Sequence, residues 1–258
     1  LTRNSPEITP DTPATPLDVI RSLVFYLVFY PGTMVCVMLV WLASLIGDGP
    51  MRARVRGWAH FHRLCCRWIL GIGLRIEGEV PEGGVLVALR HESFFEAIDL
   101  PMLLRLPVPF PKAELMGIPG WGWAASHYGA VTVSREEGAK ALRAMVSSAR
   151  GFAAQGRPLA IFPEGTRVAS GVAVPLQSGF AGIYKLVNLP VVPVAVDSGR
   201  FYHRRWKKPG TVVMRFGTRI ETGLPREEIE TRVQAAINAL NPHYSAAEGS
   251  AAKGSAEG

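Results

Sequence analysis

Cysteine is scarce in this chain: there are three among 258 residues, and two of them, Cys65 and Cys66, are adjacent. That usage excludes a disulfide framework and fits a reducing compartment. Charge is also thin, at 19% against 48% hydrophobic residues, which excludes a disordered polyelectrolyte. No internal repeat and no nucleic-acid-binding module is present, so the formal charge of +7 points to a different anionic partner. An anionic bilayer, a phosphorylated substrate and an acidic carrier protein all answer to it. No serine or cysteine stands in a G-x-S-x-G setting, which excludes the nucleophile elbow of the α/β-hydrolases.

The longest absence is of charge itself, from Ser22 to Gly47. About 20 apolar residues suffice to cross a bilayer, so this run predicts membrane insertion. Pro31-Gly32 divides it into two pieces, leaving one kinked helix and a re-entrant helical hairpin both open. Arg52, Arg54, Arg56, Arg63 and Arg67 follow, with no acidic residue between Asp48 and Glu77. Basic flanks stay in the cytoplasm, which predicts a cell inner-membrane protein with the remaining chain on that side. Trp58, Phe61, Leu64, Cys65 and Trp68 recur at three- and four-residue steps. That stripe suits either a helix lying on an anionic membrane surface or an ordinary core-packing helix.

Beyond residue 72 the pattern alternates. LRIEGEV, GVLVALR, FPKAEL, AVTV, PLAIF, VVPVAV and TVVMRF read as strands, and a helix after Ser93 and the stretches 136–155, 178–187 and 225–240 read as helices. Alternation of this kind predicts an α/β fold, a central mixed sheet flanked by helices. The expected organisation is a disordered segment over 1–16, a membrane-anchoring helical region over 17–71, an α/β domain over 72–244 and a disordered tail over 245–258.

Two segments directly after apolar strands carry chemistry. His91 directly follows GVLVALR, where an α/β sheet presents ligand-binding groups, and imidazole can take a hydroxyl proton near neutral pH. Glu96 could fix its tautomer, provided His91 lies before the helix. Ser93-x-x-Glu96 is equally a helix capping box, and Glu92 and Asp99 are rival partners for the imidazole. The second segment is Phe162-Pro-Glu-Gly-Thr-Arg167, whose Arg167 can grip a phosphate, or form a weak surface ion pair with Glu164. His60-x-His62 near Cys65 does not have the spacing of converging metal ligands, and no metal site is expected. Trp121 and Trp123 suit an acyl groove, a headgroup layer or core packing. The Arg204-Arg-Trp-Lys-Lys208 cluster reads as an electropositive patch for lipid headgroups, coenzyme A phosphates or an acyl carrier, or as a solvated loop.

Four blocks together resemble the PlsC-like glycerolipid acyltransferases, in particular the 1-acyl-glycerol-3-phosphate acyltransferases, from about Val85 to Val196. His91 to Glu96 resembles the His-x4-Asp motif, with Glu at position 96 where the family usually has Asp. Lys112-Ala-Glu-Leu115, Pro119-Gly-Trp-Gly122 and Ser134-Arg135 resemble the second block. Phe162 to Arg167 matches the FPEGTR block, and Val191-Val-Pro-Val194 the fourth, although Gln177 precedes it where relatives are often basic. The resemblance implies a catalytic His91 oriented by Glu96. It also implies an acceptor phosphate held by Arg167, Arg135 and Lys112, with Glu164, Gly165 and Thr166 shaping that pocket. It implies a fatty acyl group moving from acyl-CoA or acyl carrier protein to a lysophospholipid, with no cofactor. Another lyso-lipid acceptor, such as a lyso-ornithine lipid, and a non-catalytic lipid-binding protein are the alternatives.

Overall fold

The computed structural model describes residues 13–132, 138–202 and 205–244. Helix α1 spans Pro16–Ser44. Thr15 caps it: its hydroxyl accepts from the Asp18 N–H at 3.2 Å, and Asp18 Oδ2 accepts from the Thr15 N–H at 2.9 Å. Pro31 removes one amide donor but does not end the helix. Gly32 explains the dipeptide. A Cβ at this position would lie 2.4 Å from Cζ of Phe61, so the missing side chain is the notch in which that ring docks. The hairpin turn is at Leu45–Gly47 instead, and α2 (Asp48–Cys65) packs back along α1. One face of α1 buries Phe25 and Phe29 against the rings of His62 and Tyr202. The other face leaves Leu27, Met34 and Trp41 in the open. The helix is long and apolar enough to cross a membrane.

The stripe on α2 is turned mainly inward: Cys65 is buried, and Trp58 and Phe61 pack on the core. Arg63 is not a headgroup ligand. Its guanidinium binds both oxygens of the buried Asp99, with Nη2 to Oδ2 at 2.7 Å. A π-helical turn at Cys66–Leu70 follows, and Gly71, at φ +70°, ends it.

Among the described residues, six strands then form one mixed sheet: β1 (Ile72–Glu77), β2 (Leu86–Leu89), β3 (Val108–Pro109), β4 (Leu159–Ile161), β5 (Val191–Val196) and β6 (Gly210–Phe216). Their order is β1-β6-β5-β2-β4-β3, with all neighbours parallel except β5 and β6. Between the strands lie α3 (Phe94–Leu103), α4 (Ala113–Met116), α5 (Trp121–Tyr128), α6 (Gly138–Ala154) and α7 (Gly179–Val187), and α8 (Arg226–Ile237) comes last. This is the α/β architecture expected from the alternating pattern. Every residue of β2 is buried because helices cover both sheet faces. Val87 and Leu89 face the side of α1 and α3, whereas Leu86 and Ala88 face that of α7 and α8.

Two strand expectations fail. FPKAEL forms a short turn of α4, because β3 ends at Pro109 and Lys112 already caps that turn. Ala130 to Thr132 is not a strand either: one backbone bond, from the Val131 N–H to the Pro109 carbonyl, holds it beside β3. Val133, the last residue of that expected strand, lies outside the described residues. The parallel core places the C-terminal ends of β2, β3, β4 and β5 on one edge. His91, Lys112, the Phe162–Arg167 loop and Ser198 all follow those ends.

Candidate active site

His91 occupies the short link between β2 and α3, and Ser93 is the N-cap of α3. The Ser93 hydroxyl accepts from the Phe95 N–H at 3.0 Å. Glu96 Oε1 accepts from the backbone N–H groups of Glu92 at 2.6 Å and Ser93 at 2.7 Å. The same oxygen lies 2.9 Å from His91 Nδ1. Capping and orienting are therefore one arrangement, and a Glu at position 96 reaches both partners. A carboxylate on Nδ1 selects the Nδ1–H tautomer and leaves Nε2 as the lone-pair nitrogen. The imidazole stacks on Phe162, with centroids 4.1 Å apart, and keeps 16% of its surface open.

The rival carboxylates are engaged elsewhere. Asp99 binds Arg63, and Glu92 binds Arg90 Nε at 2.7 Å and the Gly199 N–H at 2.9 Å. Burial pushes Glu92 up to about 7 against the pull of Arg90. Burial also works to raise Glu96, but the donors from His91, Ser198 and Ser93 prevail and hold it below the usual carboxylate range. Its neighbours thus favour the ionised form of Glu96.

The FPEGTR loop is locked to His91 from both sides. Glu164 Oε2 accepts the His91 N–H at 2.8 Å, and the His91 carbonyl accepts the Val168 N–H at 2.7 Å. Glu164 is fully buried, so it supports the histidine from beneath and does not line an open pocket. Gly165, at φ +66°, makes the tight turn that returns its N–H to the Phe162 carbonyl. Thr166 and Arg167 are exposed, and the Arg167 guanidinium lies 4.2 Å over the Phe94 ring beside His91. Lys112 is exposed at the N-cap of α4, on the same sheet edge but bonded to none of these groups. Arg135 lies outside the described residues.

Two participants escape a sequence reading. Arg90 is completely buried, and besides Glu92 it reaches Glu164, Asn238 and the carbonyls of Val172 at 2.5 Å and Ala169 at 3.5 Å. A cation closing an apolar strand beside two carboxylate-rich segments was the available signal. Ser198 donates to Glu96 Oε2 at 2.6 Å, and nothing in its local pattern marks it. The Arg204–Lys208 patch is also smaller than its composition implies, because Lys207 is buried against the Tyr202 ring at 4.0 Å. Arg204 lies outside the described residues.

The Acyltransferase family model matches residues 72–197, which contain the His91 link and the FPEGTR loop. Over those residues the chain is a member of the Acyltransferase family. This acyltransferase is 27% identical over 209 residues to a 1-acyl-sn-glycerol-3-phosphate acyltransferase of Pseudomonas aeruginosa, covering 78% of this chain and 80% of that one. It is 25% identical to an enzyme of the same name from Cocos nucifera, over 87% of this chain and 74% of the other. Its fold matches the crystal structure of the 1-acyl-sn-glycerophosphate (LPA) acyltransferase PlsC from Thermotoga maritima, with a TM-score of 0.70 at 20% identity. That match covers 88% of this chain and 99% of the other.

Glu96→Gln in this acyltransferase is expected to lower kcat about 10- to 100-fold with little change in melting temperature, the size of losing one charge-assisted bond. The three donors on Oε1 pin the amide oxygen at that position, so the cap and the tautomer survive, while the negative charge and the Oε2 acceptor of the Ser198 proton are lost. Steady-state kinetics beside a thermal melt checks it. Unchanged kcat would show that the carboxylate serves the cap alone.

Proposed function

We propose that this enzyme transfers a fatty acyl group from a thioester donor, acyl-CoA or acyl carrier protein, to the free hydroxyl of 1-acyl-glycerol-3-phosphate, giving phosphatidate. The observation that carries the reading is a histidine whose Nδ1 is held by a buried carboxylate while its ring edge stays open, beside an exposed arginine. His91 Nε2 takes the hydroxyl proton as the oxygen attacks the thioester carbonyl. Glu96 stabilises the imidazolium that forms. When the tetrahedral intermediate collapses, the C–S bond breaks and the imidazolium returns its proton to the leaving thiolate. Two substrates close the balance, so no cofactor enters the scheme.

Arg167, oriented by the Phe94 ring and next to the Thr166 hydroxyl, offers a bidentate fork for the acceptor phosphate. Lys112 and Arg135 are assigned to the same phosphate on the family motif. The open apolar face of α1 would enter an anionic bilayer, with Arg54 and Arg56 of α2 toward headgroups on the cytoplasmic side. The relatives' names support this acceptor, and the test is a competition. Purified enzyme in detergent is given lysophosphatidate, lysophosphatidylcholine, a lyso-ornithine lipid and monoacylglycerol with each donor class. Lysophosphatidate is expected to win clearly over monoacylglycerol, which has no phosphate. Equal turnover of monoacylglycerol would reject the phosphate site, and preference for the ornithine lipid would reassign the acceptor.

A further inference from the structure

Glu96 Oε2 sits in a small set of hydroxyls whose protons can be counted. Ser198 Oγ lies 2.6 Å from Oε2, Ser93 Oγ lies 3.0 Å from it, and the two hydroxyls are 2.7 Å apart. Three short contacts share two protons. The shortest contact is with the carboxylate, where the charge is, so the Ser198 proton goes to Oε2. The Ser93 proton is left to divide between Ser198 and Oε2. Ser93 moreover accepts the Phe95 N–H as helix cap, whereas the Ser198 hydroxyl has Oε2 as its acceptor.

Ser198 is also held rigidly. It opens a 3-10 turn (Ser198–Arg200) directly after β5, and its side chain is fully buried. On one side, Asp197 Oδ1 accepts the Val213 N–H of β6 at 2.6 Å. On the other, the Gly199 N–H is bound by Glu92, and a Cβ on Gly199 would lie 2.9 Å from Glu92 Oε2. The Ser198 carbonyl in turn accepts from the N–H groups of Phe201 and Tyr202. The hydroxyl is thus placed from two sides, by β6 through Asp197 and by Glu92, the residue after His91.

We propose that Ser198 is a positioning residue of the acyl-transfer site, holding the Glu96 carboxylate so that Oε1 meets His91 Nδ1. The proposal rests on the His91–Glu96 reading above and extends it to a third strand. Oε1 is fixed by the helix cap, but the plane of the carboxylate is fixed only when Oε2 is also held, and Ser198 holds it. With that donor removed, the carboxylate becomes more basic, and the His91–Glu96 pair takes up a proton more readily. The acid limb of the pH–rate profile, below which the pair is protonated and cannot act as base, then moves to higher pH.

The test uses the full-length enzyme in detergent, lysophosphatidate, and whichever thioester class supports wild-type turnover. Ser198→Ala is expected to lower kcat about 10- to 100-fold, leave acceptor KM unchanged and shift the acid limb upward. Ser198→Thr, which keeps the hydroxyl, is expected to recover most of kcat and restore the limb. Ser198→Cys, close in volume but a weak donor, covers the case in which the alanine variant does not fold, and should shift the limb likewise. Wild-type kcat and an unmoved limb in a folded Ser198→Ala or Ser198→Cys protein would overturn the proposal. So would a fall in kcat without movement of the limb, since lost packing alone does that. A His91→Ala control separates the two readings: if it remains active, the site assignment fails; if it is dead while Ser198→Ala is normal, only the role of Ser198 fails.

Discussion

Replacing His91 with alanine is expected to reduce kcat by roughly 10²- to 10⁴-fold, the usual contribution of a positioned general base, without unfolding the protein. The side chain is separable from the architecture around it. Its two backbone bonds, to Glu164 and from Val168, survive in alanine. Glu96 would still accept from Glu92, Ser93 and Ser198. What disappears is the ring on Phe162 and the nitrogen that accepts the substrate proton. Single-turnover acyl transfer with each donor, run beside a thermal melt, checks both halves. A variant with kcat near that of the wild type would remove His91 from the chemistry.

Arg90→Ala acts on stability instead. Its guanidinium is the cation beside the buried Glu92 and Glu164 carboxyls, and burial has already raised the pKa of both. Breaking a buried pair from one side costs about 3–5 kcal/mol, because the partner charge is left uncompensated. In the variant both carboxyls should bind protons more readily in the folded state than in the unfolded chain. Folding then takes up protons, so stability is greatest at low pH and falls as pH rises above the ordinary glutamate range. Denaturant melts at pH 5 and pH 8 are expected to show a smaller deficit relative to wild type at pH 5. An equal deficit at both would mean that lost packing, not lost charge, is the cause.

These two residues also mark how far the sequence could be read. His91 was legible because it follows a run of strand-forming residues and is flanked by a helix-start signal, both local features. Glu96 was legible as a cap and as a partner, but one oxygen serving both at once is a matter of angles that spacing does not carry. Glu164 stood out within its motif as shaping the phosphate pocket, but its bond to the His91 N–H from a buried position is not written in the motif. Arg90 and Ser198 acquire their roles from residues 148 and 102 positions away, through Asn238 and Glu96. No window along the chain holds both ends of such a bond. Pro31-Gly32 left a kinked helix and a hairpin both open for a related reason. A proline and glycine in an apolar run look like a bend, and the fact that decides otherwise is a phenylalanine on the next helix.

The strand order has a consequence for how the chain is assembled. Among the described residues β1 pairs with β6 and with no other strand, although β2 follows it closely in sequence. The backbone of Ile72–Glu77 therefore has no strand to pair with on the ribosome until Gly210–Phe216 has been synthesised. The α1–α2 hairpin, formed from local contacts, emerges before the rest of the sheet and leads straight into this waiting strand. Closing a loop of that length makes docking of β1 a late and slow event compared with hairpin formation. The hairpin, with the open apolar face of α1, is therefore complete while the sheet still lacks its last strand.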